Sequence, residues 1–200
     1  FSGIYPLLRE LQREMQKDLD QAAHLKILAV SQSLGHFRSV AEQITSRTKA
    51  REKLAAYNRG EVSLVELTRF SEPILEDAMS SSDQILGITR LDVKGEATVS
   101  VGRPLAEIGL QAGDETRIHG PLTVNGEPSV IVTAPILDRA GVRHGTDLVA
   151  FKISSLRHLM SGDMRWDETG KTMLGELQEG EFRSFFELAE FERTLFEDRV

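Results

Sequence analysis

Five histidines, at positions 24, 36, 119, 144 and 158, are the side chains of this sequence best suited to hold a metal or move a proton at neutral pH. None lies four residues from another, the spacing that puts two imidazoles on one helical face, and no His-Glu-x-x-His run is present. "ETGKT", residues 168–172, has the ending of a phosphate-cradling loop. Such a loop also needs a glycine five residues before Gly170, where its backbone curls around phosphate, and Arg165 stands there instead. Paired carboxylates, among them Glu76 with Asp77 and Asp167 with Glu168, sit in polar surroundings that would not hold one of them protonated. No Gly-x-Ser-x-Gly elbow presents a serine nucleophile, and with no cysteine there is neither a thiolate nor a disulfide. The expectation is a chain that binds or senses, without a catalytic centre, cofactor or metal.

The elements that would position a binding site follow from periodicity. Ile4, Leu7, Leu8, Leu11, Met15, Leu19, Ala22 and Ala23 recur at three- and four-residue steps. Leu25, Leu28, Leu34, Phe37, Ala41 and Ile44 continue the pattern, which predicts one helix over about 40 residues, a rod of about 60 Å. A second helix, capped by Ser46 or Thr48, should end near Asn58-Arg59-Gly60. A third opens with the capping box Ser63–Glu66 and runs to Met79, with a break or kink expected at Pro73.

From Ser80 the period falls to two. "QILGITRLD" (84–92) and "ATVSVG" (97–102) read as a hairpin, followed by irregular chain from Arg103 to Arg117. "HGPLTV", the turn Asn125-Gly126, and the two apolar runs around Asp138-Arg139-Ala140-Gly141 supply three more strands. Tight turns between successive strands exclude a doubly wound nucleotide fold and predict an α+β layout with a five-stranded antiparallel sheet over 84–153. Ile88, Val99, Val130, Val132, Ile136, Leu148 and Phe151 are its expected buried side chains.

Composition narrows the partners. The 200 residues carry a net charge of -7, and their basic residues are interspersed with acids rather than gathered in a stripe, which argues against nucleic acid. No run reaches the roughly 18 apolar residues of a membrane span. Phe1 at the start gives the sequence the look of an excised fragment.

Four stretches carry a resemblance: "AEQITSRTKAREKLAAYNRGEVSL", "SSSDQILGITRLDVKGEATVSVG", "VTAPILDRAGVRHGTDLVAFKISSL" and "WDETGKTMLGEL". In this order they resemble the extracytoplasmic double Cache sensor domains, PAS-like modules (also called PDC) of bacterial transmembrane histidine kinases and GGDEF diguanylate cyclases. The resemblance implies a spine helix over residues 1–45, a membrane-distal sensor module over 46–158, and an abbreviated or truncated membrane-proximal module over 159–200. It also implies a periplasmic setting, a tether to the inner membrane, and an unidentified small-molecule ligand whose signal passes through helices to a kinase or cyclase. The alternative is the same fold without a ligand, reading a periplasmic partner protein or serving as a dimerisation spacer.

In the amino-acid-binding members of that family the distal pocket carries a Trp-Tyr pair, whereas here the single Trp166 lies beyond the distal module and the tyrosines, Tyr5 and Tyr57, fall on helices. On the same resemblance the pocket lies between the sheet and the segment from Gly102 to His119. The polar residues expected there are Arg90, Arg103, Arg117, His119 and Thr133, and an arginine among them would suit an anionic ligand. The long helix should pair with its copy in a weak parallel homodimer.

Overall fold

The computed structural model describes residues 4–110, 113–154, 156, 175–178 and 181–184. The chain begins with helix α1 (Ile4–Thr45), followed by α2 (Thr48–Asn58) and α3 (Leu64–Ser80). Strands β1 (Ile85–Leu91), β2 (Ala97–Gly102), β3 (Arg117–Val124), β4 (Glu127–Leu137) and β5 (Arg143–Lys152) then form one antiparallel sheet in the order β2-β1-β5-β4-β3. This is the expected α+β, PAS-like arrangement, with the sheet spanning 85–152. A separate hairpin pairs β6 (Gly175–Gln178) with β7 (Glu181–Ser184). These eight residues are the described part of the expected module at 159–200; the rest of it, with Trp166 and "ETGKT", lies outside the described residues.

All 42 residues of α1 form one helix, about 63 Å long. Only its C-terminal third is anchored, where Val30, Phe37, Ala41 and Ile44 are buried against the sheet and Phe37 stacks on Phe151 of β5 at 4.6 Å. Toward the N-terminus apolar side chains face solvent: Leu11 is 55% exposed, Leu19 50% and Ile27 63%. Among the described residues no helix is long and apolar enough to cross a membrane.

Two expectations about the shorter helices are corrected. Neither Ser46 nor Thr48 caps α2: Arg47 holds the cap position without a side-chain bond, while the Ser46 hydroxyl turns back to donate to the Gln43 carbonyl at 2.9 Å. Helix α3 does not break at Pro73. Proline removes one backbone hydrogen bond, but its ring lies on the exposed side, and Leu67, Ser71, Leu75 and Ala78 bury the other side on both flanks of it. The Ser63–Glu66 capping box is present as read.

Two sheet turns share one device. Asp138 Oδ1 accepts from the backbone N–H of Ala140 and Val142, and Gly141 takes φ +80°; Asp92 Oδ1 accepts from Lys94 and Glu96, and Gly95 takes φ +87°. The Asp satisfies turn amides and the Gly supplies a backbone conformation that side chains disfavour. Asn125 and Gly126, both at positive φ, make the two-residue β3–β4 turn.

Strand β5 is the centre of the sheet, between β1 and β4, so the β4–β5 hairpin forms its middle rather than an edge. Alternation gives the sheet two faces. On one, Ile88, Val99, Val132, Val149 and Phe151 pack under the helices. On the other, Leu91, Ile131, Leu148 and Ala150 pack beneath Leu105 and Ile108 of the β2–β3 connection, which contains one turn of 3-10 helix at Ala106–Ile108. All seven side chains expected to be buried are so.

Candidate functional site

The face turned away from the helices gathers three of the five expected residues. In the β3–β4 register Arg117 is opposite Thr133 and His119 is opposite Ile131, which places all three on that face. His119 Nε2 lies 3.0 Å from Thr133 Oγ1, and that hydroxyl is 3.5 Å from the Arg117 carbonyl. Thr133 is buried, His119 half-buried and Arg117 exposed, so the group grades from the floor of the face to its rim. Burial, and then the neighbouring Arg117 charge, push His119 below the usual imidazole range, which keeps it neutral at pH 7.

Arg103 and Arg90, expected beside them, lie elsewhere. Arg103 donates from Nη1 to the Val124 carbonyl at 2.8 Å and pairs with Glu127 at 3.4 Å, at the far end of β3. Eight residues of strand, about 25 Å, separate that end from Arg117, too far for one small ligand to touch both. Arg90 falls on the opposite face, two residues from Ile88 and under the helices. Its guanidinium makes a two-bond pair with Asp147, Nε to Oδ1 at 2.8 Å and Nη2 to Oδ2 at 2.7 Å, with side-chain exposures of 1% and 0%. Burial works against the Arg90 charge, yet the charge and hydrogen bonds of Asp147 win and raise its pKa. That partner makes Arg90 a core residue, and the displacement from the expected pocket is a consequence of strand alternation.

Three residues on the sheet's outer face were not singled out from sequence. Thr89 is fully buried; its hydroxyl lies 3.1 Å from Ser100 Oγ and accepts from the Leu105 backbone N–H at 3.1 Å, tying the β2–β3 connection to the sheet. Thr146 is fully buried between Leu91 of β1 and Pro135 of β4, and its hydroxyl has no partner. Arg143 reaches across β4 to Asp114 at 3.4 Å, while its Nη1 is buried and unpartnered. The signal available was a threonine at an inward position of an otherwise apolar strand, the same signal that marks Thr133. Among the described residues no cluster of three or more His, Cys, Asp or Glu could hold a metal.

No family model matches the chain, and no curated protein matches it. Among solved structures it is similar to the sensor domain of the histidine kinase DctB from V. cholerae, at 16% identity and a TM-score of 0.47. The match covers 78% of this chain and 61% of that one, so the chain spans less than two thirds of the length of the structure it matches.

Proposed function

We propose that the chain is the extracytoplasmic sensing domain of a bacterial transmembrane receptor, a histidine kinase or a GGDEF diguanylate cyclase, and that it binds a small molecule on the outer face of its sheet. The observation that carries this is the Arg117–Thr133–His119 group: three polar side chains graded from floor to rim on a sheet face that is otherwise apolar. A neutral imidazole beside a threonine hydroxyl can orient a polar ligand without repelling it, and Arg117 at the rim favours an anionic one.

The long helix supplies an output path. Its exposed apolar positions Leu11, Met15, Leu19, Leu25 and Leu28 suit a parallel pairing with a second copy, weak in the isolated chain because the membrane tether that would concentrate two copies is missing. Ligand binding would shift that pair between two arrangements by no more than its differential affinity for them. The residue order of the four stretches resembling double Cache domains supports the same reading.

The test is a thermal-shift screen of small metabolites against the chain, followed by the output of the full-length receptor in membranes. A ligand that raises the melting temperature, loses affinity in the His119→Gln and Thr133→Val variants, and changes receptor output is the expected result. Single cysteines along residues 9–28 of that receptor should cross-link at helical spacing and change with the ligand. A receptor that answers only to a periplasmic protein, with no small molecule shifting the chain, would refute the sensing reading in favour of the interaction module.

A further inference from the structure

We infer that Arg143 and Thr146 form an oxyanion-binding subsite on the outer face of the sheet; this rests on the sensing reading and names the chemistry that the ligand must present. Two buried donors on neighbouring stretches of β5 have nothing to bond. The Thr146 side chain is fully buried and its Oγ1 has no partner, and Arg143 Nη1 is likewise buried and unpartnered. A buried hydroxyl without a hydrogen bond is costly, and a buried arm of a guanidinium more so, so chains rarely keep either without a use.

Local geometry brings them together. Thr146 shares its face with Leu148, as strand alternation requires, and stands opposite Leu91, both members of the outer apolar cluster. Between Ile136 and Leu137 the β4–β5 register slips: Ile136 is opposite Gly145 and Leu137 opposite Arg143, leaving His144 as an extra residue in β5. Such a bulge re-aims the side chains beside it. Here it sends Arg143 across β4 to Asp114, a highly exposed residue in the segment leading into β3. Asp114 occupies Nε and leaves Nη1 free to donate.

A cationic N–H donor and a hydroxyl donor, both dry, are jointly satisfied by a negatively charged oxygen pair. A carboxylate and a phosphoryl group share that chemistry. The apolar side chains around Thr146 limit the rest of the ligand to a small body.

The experiment titrates the purified chain with sodium acetate, inorganic phosphate and acetamide against sodium chloride of equal ionic strength, reading melting temperature and binding heat. One of the two anions should raise the melting temperature and acetamide should not; which anion does so decides between a carboxylate and a phosphoryl ligand. Thr146→Val should leave the unliganded melting temperature unchanged or higher, because its hydroxyl has no partner to lose, while weakening anion binding about 10- to 100-fold. Arg143→Gln should weaken it at least as much. The inference is overturned if neither anion acts, if both variants bind as the parent does, or if Thr146→Val alone lowers the unliganded melting temperature. A metabolite found by the receptor screen and bound equally by both variants would sink the subsite while leaving the sensing reading in place.

Discussion

Replacing Asp147 with Asn should be among the most damaging single changes in the sheet. Asp147 and Arg90 sit within the helix-side core with 0% and 1% of their side chains exposed, joined by two bonds of 2.8 and 2.7 Å. Asn has nearly the shape of Asp, so packing is kept and the change isolates charge. It leaves a guanidinium in the core with no compensating carboxylate, and it turns an amide N–H₂ toward a group that can only donate. Arg90 Nη1 already lacks a partner, so the residue has no spare bond to fall back on. Breaking a buried pair from one side costs about 3–5 kcal/mol. At about 2–4 °C per kcal/mol for a chain of this size, the melting temperature should fall by about 6–20 °C. Arg90→Met with Asp147→Leu removes both charges, and the double variant should recover most of the loss or exceed the parent. Thermal and urea denaturation followed by circular dichroism measure both. An Asp147→Asn protein melting like the parent, or a double variant no better than the single, would refute the reasoning.

Three further outcomes follow from other positions. Val132 is fully buried beneath α1 and the helix-side cluster, so Val132→Asp should destabilise by about 3 kcal/mol or more in urea titrations. A Cβ on Gly145 would press on the Leu91 carbonyl and lie 2.7 Å from Leu54 Cδ2, so Gly145→Ala should force β1 from β5 and cost about 1–3 kcal/mol by the same assay. His119 is held below its usual pKa by burial and Arg117, so the unfolded chain takes up this proton first as pH falls. Its share of stability is therefore present above about pH 6.5 and lost below it, down to the folded pKa, and a His119→Gln variant should show a flatter melting-temperature profile through that window.

Legibility in the sequence tracked the range of the interactions. The span of α1, the Ser63–Glu66 box and the Asn125-Gly126 turn depend on residues within a few positions of one another, and each was readable. Pro73 was misjudged because a local rule counts the lost hydrogen bond and not the apolar flank that holds the helix across it. The site was half legible. Thr133, His119 and Arg117 share a hairpin, so a strand register sufficed to group them. Arg90 could have been placed under the helices from Ile88 two residues earlier, but its partner Asp147 is 57 residues away and invisible to any local pattern. Arg143 acquires its direction from a bulge, which spacing alone does not announce.

That 57-residue separation has a kinetic consequence. Strand pairs β1–β2, β3–β4 and β4–β5 are hairpins closed by short turns, cheap in loop entropy, whereas the β1–β5 seam cannot form until the whole intervening chain is in place. Arg90 and Asp147 lie across that seam. A transition state that has its hairpins but not yet the seam would leave Asp147→Asn refolding at nearly the parent rate and unfolding much faster, a φ-value near zero in stopped-flow chevrons. The buried pair would then act chiefly as a latch on the unfolding side, setting how long the sheet stays shut rather than how fast it closes.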